Sequence, residues 1–224
     1  MRRWAFENGL SLFFLAFFLL TLLGQSLSGV RVYNEEQLEH GGETISWARY
    51  LVSSHFGGDV MENWQSEFLQ FTTFILATVW LVQRGSNESK ELDQVGLESD
   101  QRQQVGQFSH PRSPRWARGN DWRRRVYENS LLLVMLAMFL GSWLAQSLAN
   151  WTHYNNEQTE HGEQVVTWLG YIATSDFWNR TLQNWQSEFL AVGTMAAFTI
   201  YLRQRGSPES KPVGSAHETT AASG

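Results

Sequence analysis

Glu36, Glu39, His40 and Glu67 are the residues whose types and spacing bear most directly on chemistry, and each has a counterpart 121 positions later in Glu157, Glu160, His161 and Glu188. Glu36 and His40 stand one helical turn apart, as do Glu157 and His161, so each pair faces one way on a helix. Carboxylates and imidazoles drawn from two copies of one segment make a donor set for zinc, manganese or iron. Glu36, Glu67, Glu157 and Glu188 with the two imidazoles match the ligand count of a di-iron carboxylate bundle, although such bundles use Glu-x-x-His and the spacing here is i, i+4. Alternatively, His40 and His161 are candidate axial ligands for a haem held between the copies. Glu67 and Glu188 border an apolar stretch, which makes them candidates for a proton or cation site. The simpler account is structural: Glu-His-Gly ends a helix in water, and Glu67 and Glu188 accept hydrogen bonds from backbone amides near a helix start. On that account the eight residues form a candidate polar or ion site, only His40 and His161 are candidate metal ligands, and no catalytic residue, resident metal or cofactor is expected.

The elements that must position these side chains are themselves duplicated. NWQSEFL occurs at Asn63–Leu69 and again at Asn184–Leu190, and sliding Arg2–Lys90 onto Arg123–Lys211 without a gap gives 42 identities in 89 positions. The chain is therefore read as a tandem duplication: a first repeat over 1–86, a polar linker over 87–121, a second repeat over 122–207 and a disordered tail over 208–224. Within a repeat, one helix is expected from near Asn8 to His40, where Gly41, and Gly162 in the second copy, stops it in the left-handed conformation. Ile45, Ala48, Leu51, Val52 and Phe56 recur at helical spacing and predict a short amphipathic helix within Glu43–Glu62. Asn63 is read as the N-cap of the next helix, with Trp64 and Trp80 near its two ends. Gly141, Ala145 and Ala149, and Gly193 with Ala197, are small residues four apart that permit close helix approach.

Four stretches, Leu10–Leu23, Phe68–Val82, Leu131–Leu148 and Phe189–Leu202, are apolar and free of ionisable groups. Each is shorter than the ~20 residues of an isolated span, but polar and aromatic residues at their ends extend them into the interface. The expected fold is all-α: a polytopic membrane protein with four transmembrane helices, from two two-helix repeats related by a pseudo-twofold axis along the membrane normal. Of the 17 lysines and arginines, only Arg31, Arg49 and Arg180 fall in the segments joining the first helix to the second and the third to the fourth. By the positive-inside rule both termini face the cytoplasm. Arg2 and Arg3 before an apolar run resemble a secretory signal, yet Arg123–Ala149 repeats that design in mid-chain, so both are read as retained helices.

Cysteine is absent, which removes disulfides, thiol catalysis and cysteine-held metals. No nucleophile with its base and no phosphate-binding loop is present, so the chain is read as a non-enzymatic structural or accessory component, working alone, as a homo-oligomer or in a larger membrane complex. Its first partner is the lipid bilayer. Two other readings stay open: an ion or solute conductor using Glu67 and Glu188 on a route past Gln25 and Gln146, and a metal- or haem-binding protein using His40 and His161. Arg112, Arg115, Arg118 and Arg123–Arg125, interleaved with Trp116 and Trp122, resemble a nucleic-acid patch, but beside an apolar helix they orient it and meet anionic lipid, and no nucleic acid is expected.

The order ENGLSL, GQS, YNEEQLEHG, NWQSEFL, LVQRGS, ESKELD, then SLLLVMLAMFLGSWLAQS, NWQSEFLAVG and YLRQRGSPESKPVG covers nearly the whole chain. In these motifs it resembles a family of internally duplicated bacterial membrane proteins carrying a domain-of-unknown-function label. The resemblance implies a place in the bacterial cytoplasmic membrane and carries no activity with it.

Overall fold

A computed structural model describes residues 2–223, and the backbone only of Arg2. Among the described residues it is all-helical, with no strand. The helices are α1 (Arg2–Glu7), α2 (Gly9–Glu39), α3 (Trp47–Leu51), α4 (Ser54–Trp80), α5 (Trp122–Glu128), α6 (Ser130–Glu160), α7 (Trp168–Ile172) and α8 (Ser175–Tyr201). Short 3-10 turns at Gly106–Phe108 and Arg115–Arg118 punctuate the segment between α4 and α5. The bounds of α6, α7 and α8 fall 121 residues after those of α2, α3 and α4.

The ends of these helices follow from a few residues. The long first helix runs as expected and stops at His40, with Gly41 at φ +75° and the Gly42 amide donating to the Gln37 carbonyl at 2.7 Å. Gly162 at φ +70° closes α6 the same way, the Glu163 amide donating to Gln158 O at 2.7 Å. The next helix differs from expectation. Asn63 is not its cap, because α4 begins at Ser54, where the Ser53 hydroxyl accepts the Phe56 amide at 3.2 Å. Thr174 does the same for α8 through the Phe177 amide at 3.3 Å. The amphipathic segment expected over 43–62 is thereby divided into α3 and the first turns of α4, which bury Phe56 and Val60. Gly57 and Gly58 do not break the helix; a Cβ on Gly58 would lie 2.2 Å from Asn150 Oδ1 and 3.6 Å from the Ala149 methyl, so the glycine admits α6 at close range.

Of the four expected spans, α2 and α6 are long and apolar enough to cross a membrane. In α4 and α8 the turns holding Asp59, Glu62 and Asn63, and Asp176, Arg180 and Asn184, are polar, and only from Phe68 and Phe189 onward are the helices free of charged side chains. Burial is reversed relative to a water-soluble core. Phe13, Phe14, Leu19 and Leu20 of α2 and Leu131, Val134 and Leu140 of α6 stand exposed, whereas Ser26, Gln65, Ser66, Thr72, Ser142, Gln146 and Ser147 are buried. Exposed apolar side chains over buried small polar ones suit a lipid surrounding.

Two compact units divide the chain: one runs through Val60 and includes Ala145–Tyr171, the other holds Met61–Leu144 and everything from Ile172 on. Each is described separately below.

Candidate functional site

In the first unit, His40 and His161 sit at helix ends, exposed, each with Nδ1 2.8 Å from the carbonyl oxygen four residues back, Glu36 O and Glu157 O. Nδ1 of each ring is thus engaged by its own last turn. The carboxyl groups of Glu36, Glu39, Glu157 and Glu160 lie on exposed residues. Among the described residues no group of three or more histidine, aspartate or glutamate side chains is gathered to hold a metal ion. The candidate donors thus do not assemble into a ligand set in either unit.

Glu67 and Glu188 belong to the second unit, where they lie within electrostatic reach of each other. Gln25 is part-exposed, but Gln146 is fully buried, with neither amide oxygen nor amide nitrogen hydrogen-bonded.

What the duplicated residues do build is a pair of clasps. Asn34 brackets Ile45, donating to its carbonyl at 3.0 Å and accepting its amide at 2.8 Å. Asn155 brackets Val166 at 2.9 Å in both directions. The Trp47 indole N–H donates to Ser26 Oγ at 3.1 Å, and Trp168 to Ser147 Oγ at 3.1 Å. These bonds tie α2 to α3 and α6 to α7, and bury Tyr50 and Tyr171 to 1% and 0% exposure. A Cβ on Gly29 would meet Tyr50 Oη at 2.4 Å, so this ring needs glycine beneath it.

The histidines that do meet are two without counterparts in the other repeat. His55 and His153 pack edge to face with ring centroids 5.2 Å apart. Asp59 Oδ2 lies 3.6 Å from His55 Nδ1, Glu157 Oε1 lies 3.2 Å from His153 Nε2, and Tyr33 and Tyr50 flank the His55 ring. Burial, then Asp59 and Glu36, push the Tyr50 hydroxyl up to about 12. Sequence reasoning passed over this cluster by weighing only duplicated histidines; the signal was the i, i+4 spacing of His55 with Asp59 and of His153 with Glu157.

In the second unit the two NWQSEFL motifs meet. Trp185 Nε1 donates to the buried Gln65 Oε1 at 2.7 Å, and Asn184 Nδ2 to Glu62 Oε1 at 3.1 Å, with Arg180 3.9 Å from the other oxygen of Glu62. Phe139, Trp143, Phe177 and Trp185 pack as a cluster of rings around this point. Each repeat then ends in the same loop: the Gln83 amide donates to Ser89 Oγ and the Gln204 amide to Ser210 Oγ, both at 2.9 Å. Lys211, 1% exposed, donates to the carbonyls of Gly85, His217 and Thr219 at 2.5, 2.8 and 3.0 Å. Burial, then the Arg203 guanidinium, hold its ammonium below the usual lysine range. The last residues carry turns anchored by this lysine and by the Gly85 amide donating to Thr220 Oγ1 at 2.9 Å.

A family model described as Domain of unknown function (DUF6766) matches residues 1–222. No curated protein and no solved structure matches the chain.

Proposed function

Because the chain belongs to the DUF6766 family, whose description names no activity, its role must be argued from its residues, and we propose that it is a non-enzymatic structural or accessory component of the bacterial cytoplasmic membrane. In this reading it has four transmembrane helices in two duplicated pairs, related by a pseudo-twofold axis along the membrane normal, with both termini in the cytoplasm. It works in the bilayer as a homo-oligomer or within a larger membrane complex, without nucleic acid and without a resident cofactor. The observation that supports it is the use made of the duplicated polar residues: Asn34 and Asn155, Trp47 and Trp168, and Gln65 with Trp185 are consumed in fastening the chain to itself. Groups so engaged are not free to attack or protonate a substrate. A periplasmic phosphatase fused after Lys90 is expected to be inactive, and an active fusion would refute this topology.

The proximity of Glu67 and Glu188 favours one second reading, a conductor of protons or cations. Full-length protein in proteoliposomes distinguishes the two. The structural reading expects no flux above protein-free vesicles; flux abolished by Glu67→Gln with Glu188→Gln would establish conduction instead.

A further inference from the structure

Of the six arginines between positions 112 and 125, two are built into the fold and four are not. Arg118 fixes the turn before it, its guanidinium donating to Ser113 O at 2.7 Å and to Pro111 O. Arg124 donates to Asp100 at 2.7 Å, to Glu128 at 2.5 Å and to Asn120 at 3.2 Å. The acidic side chains of this region are engaged in the same way. Asp100 and Glu128 hold Arg124, Glu98 lies 3.4 Å from Lys90, and Asp121 accepts the amides of Arg123 and Arg124 that open α5. Arg112, Arg115, Arg123 and Arg125 are exposed, and among the described residues no carboxylate pairs with any of them. Four uncompensated positive charges, carried on a segment that the other two arginines fasten, make a surface that attracts anions.

The neighbours of these arginines select the kind of anion. Trp116 and Trp122 are 45% and 65% exposed, and the Arg123 guanidinium carbon lies 5.7 Å from the Trp122 ring centroid. Arg112 lines an open hollow of about 600 Å³ together with Gln104, His110 and Ser113. From this surface α5 passes almost directly into α6, with Asn129 Nδ2 donating to Arg125 O at 2.8 Å and the Leu133 amide to Asn129 O at 2.9 Å. Leu131 follows Arg125 by about 9 Å at helical rise, and it stands exposed with Leu133 and Val134. Indole rings with a polar N–H and an apolar body favour the headgroup layer of a bilayer. Guanidinium, indole and exposed leucine thus succeed one another along the chain as phosphate, interface and acyl chain do in a phospholipid. We propose that Arg112, Arg115, Arg123 and Arg125 form a binding surface for the phosphate groups of anionic phospholipids, whose acyl chains lie along the start of α6. This inference rests on the reading of α6 as a membrane span and names the lipid class that such a span recruits.

The test is electron spin resonance of the full chain in phosphatidylcholine vesicles, with a trace of acyl-spin-labelled phosphatidylglycerol or phosphatidylcholine as probe. Lipid held at the protein surface is slowed, and the slowed fractions give the relative affinity for the two headgroups. Phosphatidylglycerol is expected to be preferred at least twofold, roughly, averaged over the whole protein boundary, and to lose that preference in about 0.5 M sodium chloride. Arg112→Gln with Arg115→Gln, and Arg123→Gln with Arg125→Gln, should each remove about half of the excess, and all four together should bring the ratio to about one. Arg31→Gln with Arg49→Gln, equal in charge to either pair, should leave it unchanged. The salt series uses the unaltered chain and decides the matter should the fourfold variant fail to fold. A ratio near one, a ratio indifferent to salt, or an equal loss in the control pair would overturn the proposal. Displacement of the label by inorganic phosphate at matched ionic strength, or by micromolar duplex DNA, would also overturn it, assigning the surface to a free anion or to nucleic acid. If neither label is slowed, the reading of α6 as a span falls as well, an outcome distinct from two headgroups held equally.

Discussion

Tyr50 and Gln146 are side chains at which burial and polarity are at odds. The Tyr50 hydroxyl is neutral below its folded pKa of about 12, whereas in the unfolded chain it ionises near ~10. A raised folded pKa means that its contribution to stability is whole below the unfolded value and is lost as pH climbs through the folded one. Unfolding midpoints of the detergent-solubilised protein should therefore fall between about pH 10 and 12, and Tyr50→Phe should flatten that fall; an unchanged profile in the variant would assign the effect elsewhere. Gly29→Ala should cost about 1–3 kcal/mol by forcing the Tyr50 ring aside, read from the same thermal transitions. Gln146 buries an amide with no partner, an arrangement that costs about 1–3 kcal/mol. Gln146→Leu is accordingly expected to raise Tm, and a fall would mean that the amide is satisfied in the membrane.

Among the elements, the clasps of α3 onto α2 and of α7 onto α6 give the most direct tests of stability. Asn34→Ala removes both bonds to Ile45 and leaves a part-buried amide and carbonyl unpaired, for an expected loss of about 1–3 kcal/mol; Asn155→Ala should cost a similar amount. Ser53→Ala is expected to cost about 1 kcal/mol by uncapping α4, whereas Asn63→Ala, inside the helix, should not uncap it. Comparing the two by thermal unfolding would locate the helix start directly. Much of this layout was legible in the residues, because Gly41 and Gly162 stop helices through a backbone conformation that glycine reaches without strain, and such signals are local. The start of α4 was not. Asn63 carries a capping side chain, but the helix continues back through it to Ser54, where Gly58 fits only because Asn150 and Ala149, nearly a hundred positions away, pack against it. The eight candidate Glu and His positions were legible as duplicated residues, yet duplication equally marks clasps, and spacing alone does not separate the two. The i, i+4 spacing of His55 with Asp59 and of His153 with Glu157 is local, but the meeting of the two rings and the burial of Lys211 are products of packing.

At the scale of the molecule, the exposed leucines and phenylalanines of α2 and α6 dominate behaviour. Apolar patches of that extent are not stable in water. The protein should remain in the membrane pellet after an alkaline carbonate wash and enter solution only with detergent, and recovery in the carbonate supernatant would contradict its reading as a spanning protein. Purified protein is also expected to lack stoichiometric zinc, manganese or iron and to show no Soret band. Metal or haem lost in His40→Ala with His161→Ala would show that those imidazoles do more than finish helices.

The caging of Lys211 makes the chain unusual toward amine-directed reagents. Lys90 and Lys211 are its only lysines, and an acylating ester needs a free, unprotonated amine that it can reach. With Lys211 sealed by carbonyls, labelling should concentrate at Lys90 and leave the second site blank for as long as the final residues stay docked. Modification of Lys211, followed by mass spectrometry against time, therefore becomes a clock for release of the C-terminal segment. Thr220→Ala, which takes away the hydroxyl that accepts the Gly85 amide, should make that clock run faster.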